Sequence, residues 1–65
     1  MREITTLTFI DNKTKSEGVF IIKASDKEVS LYLSVLNGGD IEVRFSEENA
    51  KKIIGGLEKA INKEI

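Results

Sequence analysis

The chain contains no cysteine, no histidine, no tryptophan and no proline. Without cysteine there can be no disulfide, no thiolate metal site and no thiol nucleophile. Without histidine the commonest zinc ligand and the usual general base near neutral pH are missing. Charge of neither sign prevails: 10 Lys and Arg stand against 11 Asp and Glu, a net charge of -1. Domains that grip nucleic acid through its phosphates carry a clear basic excess, so this balance argues against one. No apolar run approaches the ~18 residues of a membrane span. The opening Met1-Arg2-Glu3 does not read as a secretory leader, and a cytoplasmic setting is expected.

What is present fits one small globular domain over residues 1–65, with 40% hydrophobic residues. A domain of this length buries only ~60% of the surface its unfolded chain exposes. Its core rarely supplies more than ~3–5 kcal/mol. Small domains supplement that with disulfides, a metal or a partner subunit. The first is impossible here and neither a metal nor a cofactor is indicated. A second copy of the chain is therefore the expected supplement.

Residues 4–10 (ITTLTFI) are rich in β-branched and aromatic side chains and predict a strand. Residues 11–18 (DNKTKSEG) predict a hairpin loop, 19–24 (VFIIKA) a second strand, and 25–27 (SDK) a tight turn. Residues 28–36 (EVSLYLSVL) alternate most clearly. Asn37-Gly38 then supplies the positive φ angles that a tight hairpin needs. Residues 41–45 (IEVRF) alternate once more. After Ser46 the period changes from 2 to 3.6. Ser46 is a good N-cap, Glu47 and Glu48 suit the positive end of the helix dipole, and Ala50, Ile53, Ile54, Leu57, Ala60 and Ile61 form one apolar stripe. The expected fold is α+β, a two-layer β-β-β-β-α arrangement. It is a four-stranded antiparallel meander with one C-terminal helix packed on one face.

Such a sheet has an inner face under the helix and an outer face left bare. Val29, Leu31, Leu33, Val35, Ile41, Val43 and Phe45 are expected inside, with Leu7, Phe9, Phe20 and Ile22. Ile4, Thr6, Thr8, Ile10, Val19, Ile21, Lys23, Ser30, Tyr32, Ser34, Leu36, Glu42 and Arg44 are expected outside. The parity of residues 19–24 is set by Lys23, which belongs outside. The outer face mixes hydroxyls with Ile, Val, Leu and one Tyr, a composition suited to a partner sheet or to a ligand. Tyr32, Arg44, Lys23, Thr6, Thr8, Ser30 and Ser34 are the expected ligand or partner face. Ile21, Val19, Gly56 and Ala60 are the expected oligomer contact. Lys23, Arg44 and Tyr32 together could hold a phosphate-bearing ligand. The plainer alternative is solvated charge balanced by Glu42 and Glu28.

Gly55 and Gly56 interrupt the helix, each at ~1 kcal/mol relative to Ala. Gly56 and Ala60, four residues apart, form a small-residue patch where another backbone could approach. Close packing on the domain's own sheet, a local kink or mere drift is the plainer account of them. Other chemistries find little support. Glu47 and Glu48 point ~100° apart on a helix and are explained by capping. Asp11-Asn12-Lys13 begins like a calcium loop, but Lys13 and Lys15 occupy ligand positions. Gly38-Gly39 leads into a strand, so no phosphate cradle forms.

An enzyme is the least favoured class, for want of histidine, cysteine and an enclosed pocket. A small non-enzymatic binding protein, homo-oligomeric and acting as a protein-interaction or inhibitor module, is the leading expectation. A sponge that sequesters a nucleotide-type ligand between subunits is the alternative. The segment 40–61 (DIEVRFSEENAKKIIGGLEKAI) resembles a common ending of small bacterial and phage proteins, where a strand runs into a helix through a Ser-Glu-Glu cap. The likeness covers about a third of the chain and carries no site. A phage or mobile-element accessory protein, whose job would be to block a host protein or to soak up a nucleotide-type signal, is a further expectation beside this likeness.

Overall fold

A computed structural model describes residues 1–63. Four strands precede one helix: β1 (Arg2–Ile10), β2 (Glu17–Ala24), β3 (Glu28–Val35), β4 (Gly39–Ser46) and α1 (Glu47–Asn62). Each strand pairs antiparallel with its sequence neighbour, in the order β1-β2-β3-β4. This is the α+β meander that the change of period from 2 to 3.6 predicts. Three strands outrun their apolar alternation: β1 begins at Arg2, β2 at Glu17, and β4 reaches from Gly39 to Ser46. Ladder hydrogen bonds join backbones, so pairing continues past the last apolar side chain. β3 is shorter than expected. Leu36 lies in the turn, its amide donating to the Glu17 carbonyl at 2.9 Å.

The register assigns every strand residue to a face. On the inner face the cross-strand rows are Thr5-Ile22-Leu31-Val43, Leu7-Phe20-Leu33-Ile41 and Phe9-Gly18-Val35-Gly39. On the outer face they are Glu3-Lys23-Ser30-Arg44, Thr6-Ile21-Tyr32-Glu42 and Thr8-Val19-Ser34-Asp40. Val19, Ile21 and Lys23 thus share the outer face, as the placement of Lys23 predicts. Ile4 is the exception in β1. The register shifts between Glu3 and Thr5, which leaves Ile4 without a partner across the ladder. A bulge on an edge strand twists that edge and hinders pairing with a further chain.

Gly18 is needed for a specific reason. A Cβ at this position would lie 2.3 Å from Cζ of Phe9, its cross-strand partner. The phenyl ring therefore lies over the glycine and covers backbone that would otherwise be wet.

The first loop is organised by Asp11. Its carboxylate accepts from the Thr14 hydroxyl at 2.6 Å, the Thr14 amide at 3.2 Å and the Lys13 amide at 3.4 Å. The Asp11 carbonyl accepts from the Lys15 amide at 2.8 Å, with Lys15 left-handed at φ 63°. In the third turn the positive φ angles fall on Asn37 (65°) and Gly39 (82°), with Gly38 between them. The loop is thus three residues long, Leu36 to Gly38, closed by the Gly38 amide donating to the Val35 carbonyl at 2.8 Å.

Helix α1 starts as its sequence requires. Ser46 caps it, its hydroxyl accepting from the Asn49 amide at 3.2 Å. Glu47 and Glu48 occupy the first turn, and Glu47 pairs with Lys51 at 3.9 Å. Lys63 closes the other end in the left-handed conformation, φ 61°. The expected packing of the helix across one sheet face is met only at β3 and β4, the two strands it touches. The chain measures 33 × 33 × 15 Å. Four strands account for roughly 14 Å of width at their usual spacing, so the helix widens this plate more than it thickens it. Among the described residues no apolar side chain is buried, and Ser30 is the one fully buried side chain.

Two outcomes follow for stability. Gly18→Ala should destabilise the fold by about 1 kcal/mol by displacing the Phe9 ring, and the loss should vanish in a Phe9→Ala background. Urea unfolding of both single variants and the double variant measures this. The second outcome concerns acid. Bonds from the Thr14 hydroxyl, then from the Lys13 and Thr14 amides, hold the Asp11 carboxyl below its ordinary value of 3.8. A depressed folded pKa stabilises the fold above the unfolded value, and that contribution is lost as pH falls through the folded value. Asp11→Asn should therefore be less stable at neutral pH and show a shallower loss below about pH 4, read by thermal melts across pH.

Candidate interaction surfaces

The outer face presents its side chains in a cross-strand lattice. Glu42, on the edge strand β4, makes two of its contacts. It accepts from the Ser30 hydroxyl at 3.1 Å and lies 3.9 Å from the Lys23 ammonium. The Tyr32 hydroxyl donates to Asp40 at 3.0 Å. At the edge the Thr6 hydroxyl donates to Glu3 at 2.6 Å. The Ser30–Glu42 and Tyr32–Asp40 contacts are diagonal, each reaching a residue one pleat along the facing strand, whereas Lys23 reaches Glu42 from β2 across β3. Ser30 owes its burial to geometry: a short side chain lies between the long Lys23 and Arg44 in the same row. Its hydroxyl is satisfied, and among the described residues no buried side-chain polar atom lacks a partner.

All seven residues expected to form a ligand or partner face, Thr6, Thr8, Lys23, Ser30, Tyr32, Ser34 and Arg44, do lie on this face. Ser30, however, is sealed from contact. Register also places Glu3, Glu17, Glu28, Asp40 and Glu42 there, five carboxylates against the two cations Lys23 and Arg44. The face as a whole is acidic. A phosphate bound beside Lys23 would have to displace Glu42, and Tyr32 is already engaged by Asp40. The roles of Glu42 and Asp40 are the part that one-strand alternation does not reveal, because a diagonal pair depends on register between strands. At the far end of this face Thr8, Ile10, Glu17, Val19, Ser34 and Leu36 line a wide, open depression. It has no enclosing wall.

The inner face is apolar and largely bare. Leu7 is 54% exposed, Ile41 58% and Val43 40%, while Phe20, Ile22, Leu31 and Leu33 are half-buried. The helix stripe is bare in the same way: Ile54 is 56% exposed, Leu57 60% and Ile61 74%. Only Ala50, Ile53 and Gly55 on the helix are half-buried. Gly56 and Ala60 are exposed, and nothing lies within 4 Å of a Cβ built on Gly55 or Gly56. Packing against the chain's own sheet therefore does not account for the two glycines.

The described residues contain no group of three or more acidic side chains placed to hold a metal ion. Among the described residues no helix is long and apolar enough to cross a membrane. Comparison of the chain with protein-family models, curated proteins and solved structures gives no match. The reading of these surfaces therefore rests on their own chemistry.

The Ser30–Glu42 contact gives an asymmetric prediction. Glu42→Ala leaves a buried hydroxyl without its acceptor and should cost about 1–2 kcal/mol. Ser30→Ala leaves a partly exposed carboxylate that keeps Lys23 and water, and should cost less than about 1 kcal/mol. Equal losses in denaturant unfolding would refute this assignment.

Proposed function

We propose that the chain is a non-enzymatic binding module that works as a homo-oligomer, a second copy covering the apolar face and helix stripe. The observation that carries this reading is the missing core. The accessible surface is 5478 Å² for a 7.2 kDa chain. A folded monomer of that mass exposes roughly 4,100 Å² by the usual scaling. The excess, roughly 1,400 Å² per chain, is more than the ~800 Å² each partner contributes to a standard interface. It lies within the range of obligate homodimers, whose interfaces resemble a domain core cut in two. Hydrophobic burial is the main favourable term in folding, and one chain by itself supplies very little of it.

On this reading the inner face serves self-association and the acidic outer face stays open. A face of five carboxylates and two cations suits a basic protein surface, drawn in by complementary charge. That supports a protein-interaction or inhibitor role over sequestration of a nucleotide-type ligand, whose phosphates the same face would repel. Tyr32 and Arg44 are the side chains best suited to such a contact, by residue type.

The test is the mass in solution as a function of concentration. Light scattering and native mass spectrometry should give a multiple of 7.2 kDa, and the melting temperature should rise with protein concentration. A monomer at about 100 µM with a sharp, concentration-independent melt would overturn the proposal.

A further inference from the structure

We propose that two copies of this chain exchange helices. The stripe of α1 from each copy lies on the inner sheet face of the other. This rests on the homo-oligomer reading and specifies its contact.

The junction between β4 and α1 is the first ground. Ser46 is both the last strand residue and the N-cap, and Glu47 is already helical. No residue is left to reverse the chain. A helix that folds back over its own sheet needs a connection of a few residues. Without one, α1 reaches β3 and β4 and never touches β1 or β2. A short junction that prevents an element from docking on its own chain is the usual setting for exchange between identical chains.

The second ground is that each chain holds both halves of an unmade interface. The stripe Ile54, Leu57, Ile61 and the row Leu7-Phe20-Leu33-Ile41 are both apolar; the stripe and the two ends of the row are exposed, and Phe20 and Leu33 are half-buried. The sizes agree. A 16-residue helix is ~24 Å long. It can cross all four strands, which lie ~14 Å apart from first to last. Helix-on-sheet is also the layer arrangement that antiparallel sheets commonly adopt. Exchange is reciprocal, so the contact closes at two copies and leaves no free end for further growth.

The native absence of cysteine makes the arrangement testable by cross-linking. Leu57→Cys in one chain is mixed with a second chain carrying Leu7→Cys, Phe20→Cys or Leu33→Cys, then mildly oxidised. A mixed disulfide between position 57 of one chain and at least one position of that row is expected, and none with outer-face Thr8→Cys. In a second experiment, Gly-Ser-Asn-Gly is inserted between Phe45 and Ser46 to let the helix fold back. The mass should fall from twice 7.2 kDa to the single-chain value, with helical circular dichroism retained. Disulfides confined to row-to-row pairs, or a dimer mass unchanged by the insertion, would overturn helix exchange in favour of sheet-on-sheet pairing, and the homo-oligomer reading would survive. A monomeric native chain would overturn both.

Discussion

A single sheet layer has two faces and can be dried on at most one of them by a single helix. Every other property of this chain follows from how little of even that is achieved. Strands β2 and β3 lie inside the sheet and are half-shielded by their neighbours, while the edge strands β1 and β4 expose Leu7, Ile41 and Val43. The helix, which has the right stripe to cover them, leaves the sheet at β4. The strands are paired and the helix is capped at Ser46, but the apolar surface is not withdrawn from water. Secondary structure is formed here without a core to hold it.

The two faces divide their work by chemistry. The inner face offers aliphatic and phenyl surface and no charge in its central rows. The outer face carries cross-strand polar contacts, two of them made by Glu42, with Ser30 buried between Lys23 and Arg44 in its row. Polar side chains already partnered within their own sheet lose less on binding than free ones would, since their rotamers are fixed beforehand. An acidic, pre-ordered face and an apolar, unsatisfied face on one thin plate can therefore serve two different contacts without competing.

Most of the fold is legible in the sequence because it rests on local signals. The alternation of residues 28–36, the Asn37-Gly38 turn and the Ser46 cap each specify their element without outside help. Lys23 alone settles which way its strand faces. What alternation misses depends on relations between strands. The ring of Phe9 over Gly18, the unpartnered Ile4 and the diagonal bonds of Glu42 and Asp40 all require the register. The reach of the helix was hidden for a different reason. Its stripe predicts that it seeks an apolar surface, but period alone does not state whose surface that is. That depends on the length of the connection, and here Ser46 ends one element while beginning the next. On the candidate face the residue types of Lys23, Arg44 and Tyr32 suggested an anion site, and the carboxylates brought beside them by pairing gave it the opposite sign.

The order of the strands also has a consequence in time. Each strand pairs only with its neighbour in sequence, across loops of six, three and three residues. Closing such short loops takes well under a microsecond, and hairpins form in roughly 1–10 µs. The meander can therefore assemble by successive hairpins, with no long-range search. Covering its apolar face by a second copy would be a bimolecular encounter, slower at every cellular concentration. A newly made chain would then spend most of its maturation as an assembled but uncovered sheet, the interval in which chaperones or rival strands could capture it.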